Sequence, residues 1–275
     1  MSYLDLENGP TLNGLVYSGT GSVVPYEFLQ NITATPSPVS LSSATVTMNA
    51  SLTNPFPIWI GKQFYFATTP ESFTFTTATN AGLTSAGVES NVALATDVWY
   101  LYLGLNSSNK VTIYPSQTAP AKADLRFNGS VYGHPGASAT KFYSYFGMVI
   151  CTNSGSPAFV PFTKVGKSYL IPEASKLEQA TTDTDYAALA FTGVEGLPTH
   201  SGVTVGGYIE TSATSGDTVS LAYDASGSGV VIVKTVAAVL NLQEFSNFPL
   251  NSGDIYAKHG SAEGDVHITS ITDII

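Results

Sequence analysis

Charge is what this sequence has least of. Only 11% of its 275 residues are Asp, Glu, Lys or Arg, against about 25% in ordinary soluble domains. Arg126 is the sole arginine, and the formal net charge is −10. A nucleic-acid-binding surface needs a basic footprint to displace counterions from phosphates, and these residues cannot build one. The same shortage disfavours an anionic membrane surface.

Cysteine is nearly absent too. Cys151 is alone, which excludes an intramolecular disulfide and a cysteine-based metal site. It stands in the apolar run "YFGMVICT", where a free cysteine acts as a small core hydrophobe. Long apolar runs are also lacking. The two long uncharged stretches, 28–61 and 142–163, are interrupted by Pro36, Pro38, Pro55 and Pro57 and by "NSGSP" respectively. Neither supplies the roughly 20 consecutive apolar residues of a membrane-spanning helix, so no membrane insertion is expected. "MSYLDLENGP" carries Asp5 and Glu7 without a basic start, so it is not expected to be a secretory signal.

What is present is hydroxyl and aromatic. Ser and Thr make up roughly a quarter of the chain, taking the surface positions that Lys and Glu usually hold. Hydrophobic residues make up 43%, enough at this length for one large β domain or two ordinary ones. Stretches such as "VSLSSATVTMNASL" alternate apolar and hydroxyl residues with period two, the mark of half-buried strands. "WYLYLGLNSSNKVTIY" predicts a hairpin, with strand 98–105, turn 106–109 and a return strand. Alternation places Trp99, Leu101, Leu103 and Leu105 on one face and Tyr100 and Tyr102 on the other. On the return strand, Val111 and Ile113 are expected inward, and Thr112 and Tyr114 outward.

"KFYSYFGMVICT" is a second strand with bulk on both faces. Phe142, Phe146, Met148 and Ile150 are expected on one face, and Tyr143, Tyr145, Val149 and Cys151 on the other. A sheet covered on one side shows cleaner alternation, so two such strands call for cover on both sides. The predicted fold is all-β: two antiparallel β-sandwich or jelly-roll-like units with little helix. The expected division is an arm over 1–30, a β-sandwich domain over 31–165, a charged linker over 166–185 and a second β-sandwich domain over 186–275. A short helix is conceivable at 237–242.

Candidate chemistry is sparse. His134, His200, His259 and His267 lack the spacing that puts two metal ligands on one helix face, so no metal site and no cofactor is expected. Asp183 and Asp185 in "TDTD", with Asp254, Asp265 and Asp273, read as solvated acids, calcium at "TDTD" being the alternative. Trp99, Tyr100, Tyr102, Tyr143 and Tyr145 are the candidate site residues. They read as an oligomer interface or, alternatively, as a surface-aromatic platform for sugars, since aromatic faces combine apolar area with a polar tip.

"DVWYLYLG", "PSQTAP" (115–120), "HPG" (134–136) and the aromatic strand "YFGMVI" (145–150) together resemble virion proteins of tailed bacteriophages, of the tail-fibre and capsid-decoration kind. The resemblance covers about residues 95–165. It implies a β-rich, non-enzymatic exterior component, often a homotrimer, made in the host bacterial cytoplasm and located in the virion. Its implied partners are copies of itself, other virion proteins and a host surface glycan. A head-decoration protein and a lectin-like carbohydrate-binding module are the alternatives.

Overall fold

The computed structural model describes residues 71–94, 97–107, 111–122, 132–136, 143–152, 158–165, 167–191, 196–211, 218–234, 241–260 and 264–273, together with short strands in the first seventy residues. Those early strands are β1 (Thr11–Leu12), β2 (Leu15–Tyr17), β3 (Ile32–Thr35), β4 (Ser43–Met48), β5 (Phe56–Ile60) and β6 (Gln63–Ala67). The middle of the chain adds β7 (Glu71–Thr76), β8 (Thr79–Leu83), β9 (Glu89–Ala93), β10 (Asp97–Leu105), β11 (Val111–Ser116), β12 (Ala121–Lys122), β13 (Tyr132–Gly133), β14 (Ser144–Thr152) and β15 (Ala158–Phe159). Next come β16 (Thr163–Val165), β17 (Ser168–Leu170), β18 (Leu177–Ala180), β19 (Ala187–Ala188) and β20 (Thr204–Thr211). The last are β21 (Thr218–Ala222), β22 (Val231–Lys234), β23 (Asn241–Pro249), β24 (Tyr256–His259) and β25 (Gly264–Thr272).

The fold is all-β. Every pairing among the described residues is antiparallel, and a 3-10 turn at Glu173–Ser175 is the one helical piece described in the C-terminal half. In the arm predicted for 1–30, β1 and β2 form a hairpin, and β2 pairs with β6.

The central sheet is built around β10, which lies between β11 and β14. Seven consecutive residues of β10, Val98–Gly104, are buried. That is why the strand is apolar on both faces: neither face meets water. Tyr114 is buried as well, contrary to the outward position that strict alternation suggests. It stands opposite Tyr102, with its ring 5.2 Å from that of Tyr143. Both rings fit because position 104 is glycine. A Cβ there would lie 2.5 Å from the Tyr143 ring.

The predicted faces of β14 hold only in its first half. Leu101 pairs with Gly147 and the next residue, Tyr102, with Tyr145, so Phe146 is the extra residue of a β-bulge. Beyond it, Met148 stands opposite Tyr100 and Ile150 opposite Val98. Cross-strand partners share a face, so Met148 and Ile150 join the tyrosine side. A bulge re-aims the side chains that follow it, and period-two counting cannot see it.

In the C-terminal part, β25 is the hub. It pairs with β17, β18 and β20, and β20 pairs in turn with β23. A second sheet runs β19-β24-β21-β22. Val205, Ile209, Val266 and Ile268 of the first sheet and Val219, Leu221 and Ala257 of the second are all buried in one apolar cluster, which also contains the core of the β10–β14 sheet. Residues 166–185, read as a linker, contribute β17 and β18 to the sheet around β25, and β16 pairs with β17. At 237–242, the described residues Asn241 and Leu242 begin strand β23; residues 237–240 lie outside the described residues.

Candidate functional site

The tyrosine side of β10 and β14 meets the C-terminal unit along a buried polar seam. Antiparallel alternation puts Tyr100 and Tyr102 on this side of β10, and the bulge keeps Tyr145 beside them. Tyr145 lies 6.2 Å from Tyr100 and 5.9 Å from Tyr102, centroid to centroid. His200 inserts from the other unit, its ring 5.4 Å from Tyr100 and 5.6 Å from Tyr145, edge to face in both cases. The neighbouring Thr199 donates its backbone N–H to the Tyr100 hydroxyl at 2.9 Å.

Asp273, just past the end of β25, closes the seam. It accepts from the Tyr145 hydroxyl at 2.6 Å on Oδ2 and from the Nε2–H of His200 at 3.1 Å on Oδ1. The side chains of His200 and Asp273 are 1% and 2% exposed. A carboxylate this deep in protein needs charge-assisted donors to offset its desolvation. Here they come from two separate segments. The Nδ1 of His200 is buried without a hydrogen-bond partner.

Tyr169 of β17 extends the network. Its hydroxyl accepts from the Met148 backbone N–H at 3.2 Å and from Lys164 Nζ at 3.0 Å, and the lysine sits 4.6 Å above its ring centre. The approach depends on Gly147, where a Cβ would stand 2.8 Å from that hydroxyl. Burial pushes the Tyr145 and Tyr169 hydroxyls well above their ordinary pKa, and the negative charge of Asp273 adds to the effect. Burial pulls the Lys164 ammonium down to about 8 despite the attraction of Asp273.

The remaining candidates are placed as follows. Trp99, Tyr100, Tyr102 and Tyr143 are all buried, and Tyr145 is half-buried with its hydroxyl bonded to Asp273. The chain itself covers the rings that the sequence offered to a sister subunit or a sugar. Tyr143 donates to Glu89 at 2.9 Å, and burial raises its pKa, followed by that bond and the glutamate charge. Tyr102 donates to the Thr118 carbonyl at 2.6 Å.

His134 holds the neighbouring loops together. Its Nδ1 accepts the Gly136 backbone N–H at 3.1 Å, so the ring proton is on Nε2, which faces the Ser116 hydroxyl at 3.1 Å. The turn "HPG" and the loop "PSQTAP" are thereby tied to each other. Asp183 and Asp185 are exposed. Among the described residues no group of three or more His, Cys, Asp or Glu stands where it could hold a metal ion.

His200 and Asp273 form an acid–base pair of the kind hydrolases use. The space next to the seam is a small apolar cavity lined by Met148, Val160, Phe162, Tyr169, Ile171 and Ile271. The seam joins the β10–β14 sheet to the sheet around β25. The sequence reading missed Lys164, Tyr169 and His200 and misjudged Asp273. One signal was there for Asp273: it ends a period-two strand and is followed by two isoleucines, in "HITSITDII", an unusual setting for a solvated acid. Compared with protein-family models, with curated proteins and with solved structures, the chain has no match.

Proposed function

We propose that this chain is a non-enzymatic structural component of a bacteriophage virion, an exposed oligomeric building block of the tail fibre or tail tip. Its work is assembly with copies of itself, as a homotrimer, and with other virion proteins, together with contact to the host surface. The observation that carries this reading is the seam. The most distinctive residues of the chain, the tyrosines of β10 and β14, bind two β units to each other through Asp273 and His200. That is the construction of a load-bearing part rather than of a cleft. The hydroxyl-rich, charge-poor composition suits a surface that packs against many neighbours. The burial of Trp99, Tyr100, Tyr102 and Tyr143 weighs against the lectin alternative.

The test is direct. Particles purified from a producing culture by density gradient are digested and searched for peptides of this chain, and intact particles are labelled with gold-conjugated antibody. Peptides in the particle band and gold on tails support the reading. A chain abundant in the lysate but missing from the particles would overturn it. Light scattering on the isolated protein then reads the trimer: three times 28.8 kDa is expected.

A further inference from the structure

The sheet around β25 ends in a strand whose outer edge is unpaired among the described residues. β23 pairs with β20 on one side only. Its first half overhangs the core, for Leu242, Gln243 and Glu244 are all exposed, covering both strand faces. The Glu244 carbonyl takes a hydrogen bond from the Gln243 side chain at 3.0 Å, a substitute for a strand partner. The second half is different. The pairing slips between Val205↔Phe248 and Gly207↔Phe245, and Asn247 has φ 54°, a bulge of the kind that protects sheet edges. Protection therefore stops where 241–245 begins.

The charged side chains nearest this open stretch, Glu244 on β23 and Glu210 on β20, are acidic. The register places Glu178, His267, Tyr208 and Glu244 in one row across the sheet, and Ala180, Asp265, Glu210 and Leu242 in the next. Glu210 and Asp265 stand directly opposite each other, and like charges in that position cost sheet stability. His267, 3% exposed in its side chain, lies between Glu178 at 3.3 Å and Glu210 at 3.6 Å, with both ring nitrogens lacking a hydrogen-bond partner. Lys176 is engaged by Glu173 and Tyr208 at 2.7 and 2.6 Å. Leu242 is 65% exposed, the most open of the large hydrophobic side chains described.

We infer that the 241–245 edge of β23 is a docking site for an extended, basic strand of another protein, which adds to the sheet and sets a Lys or Arg beside Glu244 and an apolar residue beside Leu242. Main-chain hydrogen bonds would supply affinity, and alternate side chains specificity. A second copy of this chain is a poor occupant, since it would bring the same glutamates to the same edge. The inference does not depend on the virion reading.

The experiment uses the whole chain and a fluorescent, end-blocked nine-residue peptide with Lys and Val alternating on one face and Thr on the other. Anisotropy should show saturable binding at low salt, at least tenfold weaker when Glu replaces Lys in the peptide. Glu244→Lys, a surface change that leaves the fold intact, should weaken the Lys peptide at least tenfold. Leu242→Pro, which removes an N–H on the open edge and no bond to β20, should abolish binding while circular dichroism stays native. Absence of binding, equal binding of both peptides, or indifference to Glu244→Lys would overturn the inference. So would a dimer in light scattering that Leu242→Pro dissolves, since the occupant would then be a second copy.

Discussion

Tyr145 donates its hydroxyl to Asp273 at 2.6 Å across 128 positions of sequence, and this bond ties the aromatic strand of one β unit to the last strand of the other. Removing the donor with Tyr145→Phe leaves a buried carboxylate short of a partner. Hydrogen bonds to charged groups are worth roughly 1.5–3 kcal/mol, so urea denaturation should show a loss of that order. A double-mutant cycle with Asp273→Ala should be strongly non-additive, because both substitutions remove the same contact. Additive losses would mean that the bond is not made in solution.

His134 makes the fold acid-sensitive. Burial lowers its pKa from the ordinary 6.5, so below that pH the unfolded chain takes up a proton that the folded chain resists. Stability should therefore fall as pH drops from about 6.5 and be unaffected by this group above it. In His134→Asn that slope should flatten. The check is the pH dependence of the unfolding free energy of both proteins between pH 8 and 5; parallel curves would count against it.

Lys164 acts in the alkaline range. Its folded pKa is about 8 and its ordinary value 10.5, so between these values the unfolded chain holds a proton that the folded one has lost. Stability then rises with pH across that window, while below about 8 the burial penalty is complete. Lys164→Met should lack this rise. The wild-type-minus-variant difference isolates it from the tyrosines, whose raised values act in the opposite direction at high pH in both proteins. A constant difference from pH 8 to 10.5 would refute it.

Cys151 serves as a silent reporter. Burial, with a smaller contribution from the charge of Asp97, pushes its thiol up to about 12, and the residue is fully buried. The native protein should resist iodoacetamide at pH 8 and react at once in urea. Labelling that tracks the global unfolding curve is expected; fast labelling in buffer would show that β14 opens locally.

Much of the fold was legible because its signals are local. Period-two alternation, the Asn-Ser turn after Leu105 and the apolar bulk on both faces of β10 and β14 predict strands, a hairpin and double cover, and all are found. Of the tyrosines singled out in the sequence, Tyr100 and Tyr145 meet His200, and Tyr102 and Tyr143 bond to Thr118 and Glu89. What covers them was not legible, since nothing in "WYLYLG" says whether its second face meets another chain or a later part of its own.

The sequence by itself determined the all-β class and the β10–β11 hairpin, because side-chain period and turn chemistry act over a few residues. Only the tertiary structure decided that Ser168–Leu170 and Leu177–Ala180 belong to a sheet, that Phe146 is a bulge and that Asp273 is a buried partner of Tyr145 and His200. Those facts depend on antiparallel pairing and burial between segments far apart in the chain. A carboxylate in water and a buried carboxylate bonded to Tyr145 and His200 are written with the same letter.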